Sequence, residues 1–211
     1  MKQFITIQHT QSEHHVSGMV GSWTDWPLTE TGCAQAERIA RRLLPHLAGK
    51  KWTIYSSDMT RAVQTAAPLA ETLGIVPILR SELRERNLGA AVGKSVQWLR
   101  ENLEMQERTV DDRLFHDAES RRDAWNRLRS FFEEIMQSGE ENIILVSHGD
   151  LLSIFNVMWL GLAVEDINRL DLFGLAGGVS FMHVAEDRAD PGTARGKRVI
   201  RRLSDMSFVT E

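Results

Sequence analysis

With 211 residues, 42% of them hydrophobic and 26% charged, the chain can bury one sizeable core, and residues 1–211 are expected to form a single domain. Its 25 Lys and Arg against 29 Asp and Glu give a formal charge of -4, which excludes a general nucleic-acid or anionic-membrane surface and makes any basic site local. No apolar run approaches the roughly 18–20 residues of a membrane span, the start "MKQFITIQHT" has no signal-peptide pattern, and the lone Cys33 builds neither a disulfide nor a cysteine zinc site, so a cytoplasmic protein with an inert thiol on a helix is expected.

The first expected strand covers residues 3 to 9 and runs into the polar, histidine-rich "HTQSEHH". A helix follows in "TETGCAQAERIARRLLPHLAGK", with Ile39, Leu43, Leu44 and Leu47 on one face and Thr29 or Thr31 as its cap. "WTIYSS" is a compact strand of β-formers, and "DMTRAVQTAAPLAETLG" a helix with Asp58 as N-cap and Gly74 as C-cap. "IVPIL" suggests a strand that Pro77 pushes toward an edge, before the loop "RSELRERNLGAAVGKS". From about Ser120 to Gln137 the spacing of Trp125, Leu128, Phe132, Ile135 and Met136 predicts a helix closed by Gly139. "NIILVS" is apolar throughout, as in a strand covered on both faces, and leads through "HGD" into the helix "LLSIFNVMWLG". "GGVSFMHV" and "KRVIRRLSD" read as paired strands joined by "AEDRADPGTARG", the second a solvated, charged edge. Alternating strands and helices predict an α/β three-layer sandwich, a mostly parallel mixed sheet with helices on both faces.

In such sheets ligands bind at the carboxyl ends of strands. Three junctions carry chemistry there: Gln8-His9-Thr10, "SSDMTR" with Arg61, and "SHGD" with His148 and Gly149. Two histidines and an arginine beside helix N-termini suit an anion, and phosphate fits. Taken singly, His9 is an ordinary polar group at a strand end and Arg61 a solvated helix residue. Metal binding by His9, His14 and His15 is the other functional reading, and it lacks a further ligand at matching spacing.

These motifs resemble the histidine phosphatase superfamily, which includes the cofactor-dependent phosphoglycerate mutases. "IQHTQSEHH" stands where that family has an Arg-His-Gly strand end, with His9 on the nucleophile. "GSWTDWPLTETGCAQAERIA", "YSSDMTRAVQTA", "LRERNLGAAVGKS", "AES" at 118–120 and "ILVSHGD" match the later blocks in order, over most of residues 1 to 180. The resemblance implies a phosphohistidine on His9, phosphoryl contacts from Arg61 and His148, and Glu85 as proton donor, with Glu82 the less well-placed alternative. It implies neither cofactor nor metal. Three positions depart from the pattern: Gln8 replaces an arginine, Thr10 a glycine and His15 an asparagine. An amide cannot replace the charged fork of a guanidinium, so a weaker pocket is expected unless His15 or His14 is protonated; the pair read equally well as polar loop residues. Gln8, His15 and Gly149 join Arg61 and His148 as candidate substrate-binding residues.

The expected activity is a phosphatase acting on a small phosphorylated metabolite. A phosphoglycerate mutase-type transferase and a phospho-ligand binder with decayed catalysis are the alternatives. The short tail "MSFVTE" favours hydrolysis over transfer, and retention of a proton donor argues against a pure binder. Specificity is expected from loops 14–27 and 90–120, through Trp23, Trp26, Trp98 and Phe115, which could also be ordinary core or surface aromatics. The sequence leaves substrate identity and oligomeric state open.

Overall fold

The computed structural model describes residues 2–185 and 196–210. Six strands form one sheet in the order β3-β2-β4-β1-β5-β6: β1 (Gln3–Gln8), β2 (Thr53–Ser57), β3 (Ile78–Arg80), β4 (Asn142–Ser147), β5 (Val179–Ala185) and β6 (Lys197–Asp205). β1 pairs parallel with β4, β4 with β2 and β2 with β3, while β5 runs antiparallel to β1 and β6. The sheet is therefore mixed and mostly parallel, as expected.

The central strands are apolar on both faces because both are covered. Phe4, Ile143 and Leu145 pack with α5 (Arg121–Gln137) and α6 (Gly149–Trp159). Their neighbours Ile5, Ile7, Ile144 and Val146 pack with α2 (Glu30–Leu47) and α3 (Thr60–Leu73). Period-two alternation thus splits each run between two cores, and each fully buried side chain contributes about 1.5–3 kcal/mol. The edges are blunted: β3 is three residues long, and β6 exposes Lys197, Arg201 and Arg202.

Thr29 caps α2, its hydroxyl accepting from the Gly32 N–H at 3.0 Å. Gly32 is obligatory, since a Cβ there would lie 1.9 Å from the Gln11 carbonyl oxygen. That close approach brings the start of α2 against the end of β1, where Thr10 Oγ1 donates to the Gly32 carbonyl at 2.8 Å. Within α2, Ile39, Leu43 and Leu47 are buried as expected, but Leu44 is exposed. α3 ends on Gly74 at φ 65°, in the left-handed region.

Two expectations fail locally. Asp58 does not cap α3, whose N-cap is Met59; its carboxylate instead receives Arg84 Nε at 2.7 Å and Nη2 at 2.6 Å, a bidentate pair that satisfies it from outside the helix. Two short helices, α1 (Glu13–Ser17) and α4 (Val96–Glu101), occupy stretches expected to be loop. The turn expected in "AEDRADPGTARG" falls largely outside the described residues. Cys33 is a free thiol exposed on α2.

Candidate active site

β1 and β4 are adjacent and in register, with Gln8 opposite Ser147, so the next residues, His9 and His148, leave the sheet side by side. Their rings lie 5.1 Å apart between centroids. His9 is 3% exposed, and its Nδ1 lies 2.8 Å from the Thr10 carbonyl oxygen. A carbonyl only accepts, so Nδ1 carries the proton and the lone pair sits on Nε2. Burial, reinforced by Arg61, holds His9 well below its ordinary value and keeps the ring neutral at neutral pH. The combination is the form in which an imidazole can act as a nucleophile.

Arg61 arrives one turn into α3, and its Nε donates to His9 Nε2 at 3.3 Å. The carbonyls of Thr24 and Ser22 hold its Nη1 and Nη2 at 2.6 and 2.8 Å, which aims the fork. Burial pulls the group down to about 10, so it remains a cation beside the nucleophile. His148 is fully buried behind the open cavity wall, with Nε2 2.9 Å from Ser57 Oγ and Nδ1 without any partner. Ser57 Oγ also accepts the Met59 N–H at 3.3 Å, and its own hydroxyl proton is free to point at His148 Nε2. In that arrangement neutral His148 carries its own proton on Nδ1, a buried donor that an oxyanion would satisfy. Gly149 opens α6 and lines the cavity; a Cβ there would meet the Phe173 ring at 2.5 Å and Gln8 Nε2 at 3.1 Å, so any larger residue would have to push those side chains aside.

Glu85 lines the same cavity, with Oε1 accepting from the N–H groups of Arg86 at 2.9 Å and Leu151 at 3.1 Å and Oε2 from Asp150 at 3.3 Å. Burial, then the Asp150 carboxylate, raise Glu85 above its ordinary value despite these bonds. A carboxyl that keeps its proton to higher pH is suited to donating one. Its loop is clamped from behind: Arg127 on α5 donates to the carbonyls of Glu82 at 2.8 Å, Arg84 at 3.0 Å and Glu85 at 3.2 Å. Glu82 lies near Arg80, with a 3.7 Å ion pair, and is not on the cavity wall.

The histidine-rich segment after β1 folds back over His9 as α1. His15 stacks on His9 at 5.3 Å and 11°, and His14 lies 5.7 Å from it. The Ser12 N–H donates to His15 Nδ1 at 3.1 Å, so the neutral ring presents an N–H at Nε2. Burial, then the neighbouring His15 and Arg61, lower His14 to about 3, and burial, then Arg61, lower His15, so both offer dipoles rather than charge. Gln8 is buried between Gly149 and Gly174, its amide without a protein partner among the described residues.

Nitrogens of His9, His14 and His15 lie within 4.8 Å of one another, close enough to share a metal ion. Two features oppose a cation. Arg61 is 3.3 Å from His9 Nε2, and His15 Nδ1 is already occupied as an acceptor. The same features suit an anion.

The cavity measures about 520 Å³, and its apolar wall comes from Leu88, Ile154, Ile167, Leu170 and Phe173. Trp23, Trp26, Trp98 and Phe115 are not on it. Trp98 and Phe115 stack on each other at 5.7 Å in a separate small cluster, and Trp23 Nε1 donates to the Glu85 carbonyl at 2.6 Å from outside. Sequence reasoning missed Ser57, Arg127 and the wall at 167–173. Only Ser57 lay within a recognisable motif.

This fold and pocket define an α/β domain of the phosphoglycerate mutase-like class. The profile of the histidine phosphatase superfamily (branch 1) matches residues 4–191, and the chain belongs to that family. A Hydrogenobacter thermophilus protein bearing the name phosphoserine phosphatase 2 is 27% identical over 193 residues, 90% of this chain and 93% of its own length. A 2,3-bisphosphoglycerate-dependent phosphoglycerate mutase of Methylobacterium is 29% identical, covering 80% of this chain and 86% of its own. In fold, the native mycobacterial glucosyl-3-phosphoglycerate phosphatase superposes with a TM-score of 0.79 at 22% identity, over 96% of this chain and 98% of its own.

Proposed function

We propose that the protein is a phosphatase that hydrolyses a small phosphomonoester through a phosphohistidine on His9, with Glu85 as proton donor. The observation that carries this is the fixed tautomer of His9: the Thr10 carbonyl holds the proton on Nδ1, leaving the Nε2 lone pair beside Arg61 and on the same cavity as a protonatable Glu85. Nε2 attacks phosphorus in line, the P–O ester bond breaks, and Glu85 protonates the departing oxygen. Water then attacks the phosphohistidine, Glu85 takes its proton, and phosphate leaves with His9 restored. Arg61, His148 Nδ1–H, the Gly149 N–H and the neutral donors of Gln8 and His15 stabilise the equatorial oxygens. Donors and one guanidinium supply the charge stabilisation, so the reaction is proposed to need no metal or cofactor.

The 211 residues are proposed to act as one domain on a soluble substrate in the cytoplasm. Among the described residues, no helix is long and apolar enough to cross a membrane. Names of relatives point to phosphorylated hydroxy and amino acids as the substrate class. Brief incubation with a labelled phosphomonoester should leave acid-labile, alkali-stable phosphate on the wild type and none on His9→Ala. Label retained by the variant would overturn the assignment. Label passed to added phosphoglycerate in preference to water would favour the mutase-type alternative.

A further inference from the structure

The far wall of the cavity carries charge that phosphoryl transfer does not use. Arg121 is the first residue of α5, where the helix dipole disfavours a cation. Its neighbour Arg122 pairs with Asp111 and with Glu165 at 2.8 Å, whereas Arg121 lines the cavity. Arg121 Nε is closed off from solvent without a hydrogen-bond partner. The nearest carboxylate oxygen, Asp150 Oδ1, is 3.8 Å away, and the other oxygen of Asp150 sits 2.8 Å from Arg86 Nε. Arg86 is further matched by Glu107, so of the two arginines it is Arg121 whose fork lacks a hydrogen-bonded acceptor.

Asp171 lines the same cavity. Its Oδ1 accepts the Phe173 N–H at 2.9 Å and lies 3.4 Å from Ser153 Oγ; its Oδ2 meets no donor among the described residues. Leu170 and Phe173 flank it with apolar surface on the cavity wall.

We propose that Arg121 and Asp171 form a recognition subsite for a zwitterionic leaving group, the guanidinium taking a carboxylate and the aspartate an ammonium, so that the preferred substrates are O-phosphorylated amino acids. This rests on the phosphatase reading and adds the residues that choose the substrate. A neutral alcohol leaves both groups idle. A leaving group that is only anionic meets Asp171 uncompensated, and one that is only cationic meets Arg121.

The test compares kcat/KM for O-phospho-L-serine, 3-phosphoglycerate (carboxylate only), phosphoethanolamine (ammonium only) and glycerol phosphate (neither). Wild type should favour O-phospho-L-serine. Arg121→Gln should lower the two carboxylate esters roughly ten- to a hundredfold relative to phosphoethanolamine, the range of one charged hydrogen-bonding partner. Asp171→Asn should lower the two amines relative to 3-phosphoglycerate, and Arg121→Lys, which keeps charge but loses the fork, should fall between. All four esters falling by one common factor in both variants would overturn the subsite, whether through misfolding or general loss of activity, because selectivity is the readout. If wild type hydrolyses none of the esters, nor p-nitrophenyl phosphate, the phosphatase reading fails instead. Calorimetric binding of O-phospho-L-serine then still tests the subsite: weaker binding to Arg121→Gln than to wild type supports it, and equal binding rejects it.

Discussion

On the proposed mechanism, removing the Ser57 hydroxyl should slow turnover even with His9, Glu85 and Arg61 all intact. The hydroxyl accepts from the Met59 N–H and faces His148 Nε2 at 2.9 Å; by donating its own proton to that nitrogen it would hold the imidazole proton on Nδ1. In Ser57→Ala that constraint disappears, and the ring can place its proton on Nε2 and turn a lone pair toward the phosphoryl oxygens. A hydrogen bond to a charged group is worth about 1.5–3 kcal/mol, so full loss of this donor in the transition state corresponds to roughly ten- to a hundredfold in kcat/KM. Ser57→Thr keeps the hydroxyl and should recover most of the rate. Nitrogen-resolved NMR of the His148 ring supplies the second readout: Nδ1 protonated in wild type and Ser57→Thr, mixed or reversed in Ser57→Ala. A wild-type His148 with its proton on Nε2, or a Ser57→Ala enzyme of unchanged rate, would refute the reasoning.

Glu85→Gln should slow alkyl phosphate esters about 10²–10⁴-fold, while phosphoenzyme formation from p-nitrophenyl phosphate, whose leaving group needs less protonation, suffers less; equal losses would move the acid role elsewhere. The proposed mechanism needs His9 neutral, and its pKa is lowered; it needs Glu85 protonated, and its pKa is raised. kcat/KM should therefore fall on the acid side as His9 gains a proton below its ordinary 6.5 and on the alkaline side as Glu85 loses one above its ordinary 4.5, and Glu85→Gln should flatten the alkaline limb of the measured profile. Gln8→Arg should raise kcat/KM for a simple phosphomonoester by up to about ten- to a hundredfold, since it restores a charged donor to the pocket. Measured again with His15→Ala, a gain that appears only without His15 would identify that ring as the present substitute, and no gain in either background would dismiss the weakened pocket.

The sheet and the convergence of His9, Arg61 and His148 were legible because they depend on local signals: apolar runs at Ile5, Ile7 and Ile143–Val146, a cap at Thr29, a left-handed glycine at 74, and histidines placed just beyond two strands. What failed depends on partners distant in sequence. Asp58 has a good capping side chain, but Arg84 claims it with two hydrogen bonds. α1 and α4 have five and six residues, too few for a helical period to emerge. Trp98 and Phe115 carry no mark that separates a private stack from a cavity wall, and the residues that do form the wall, around 167–173, follow no motif. The sequence left open whether His14 or His15 carries charge, because burial beside Arg61 is a property of the folded site alone.

The adjacency of β1 and β4 also governs how the protein comes to life. His9 and His148 are far apart in sequence and meet only once the parallel pair of β1 and β4 has closed across everything between them. Contacts of such long sequence separation incur their loop-closure entropy before any pairing rewards it, so they form late. During refolding, helical signal should return well before catalytic competence, and turnover should track the final ordering of the central strands. Enzymatic activity is thus a reporter of complete folding for this chain.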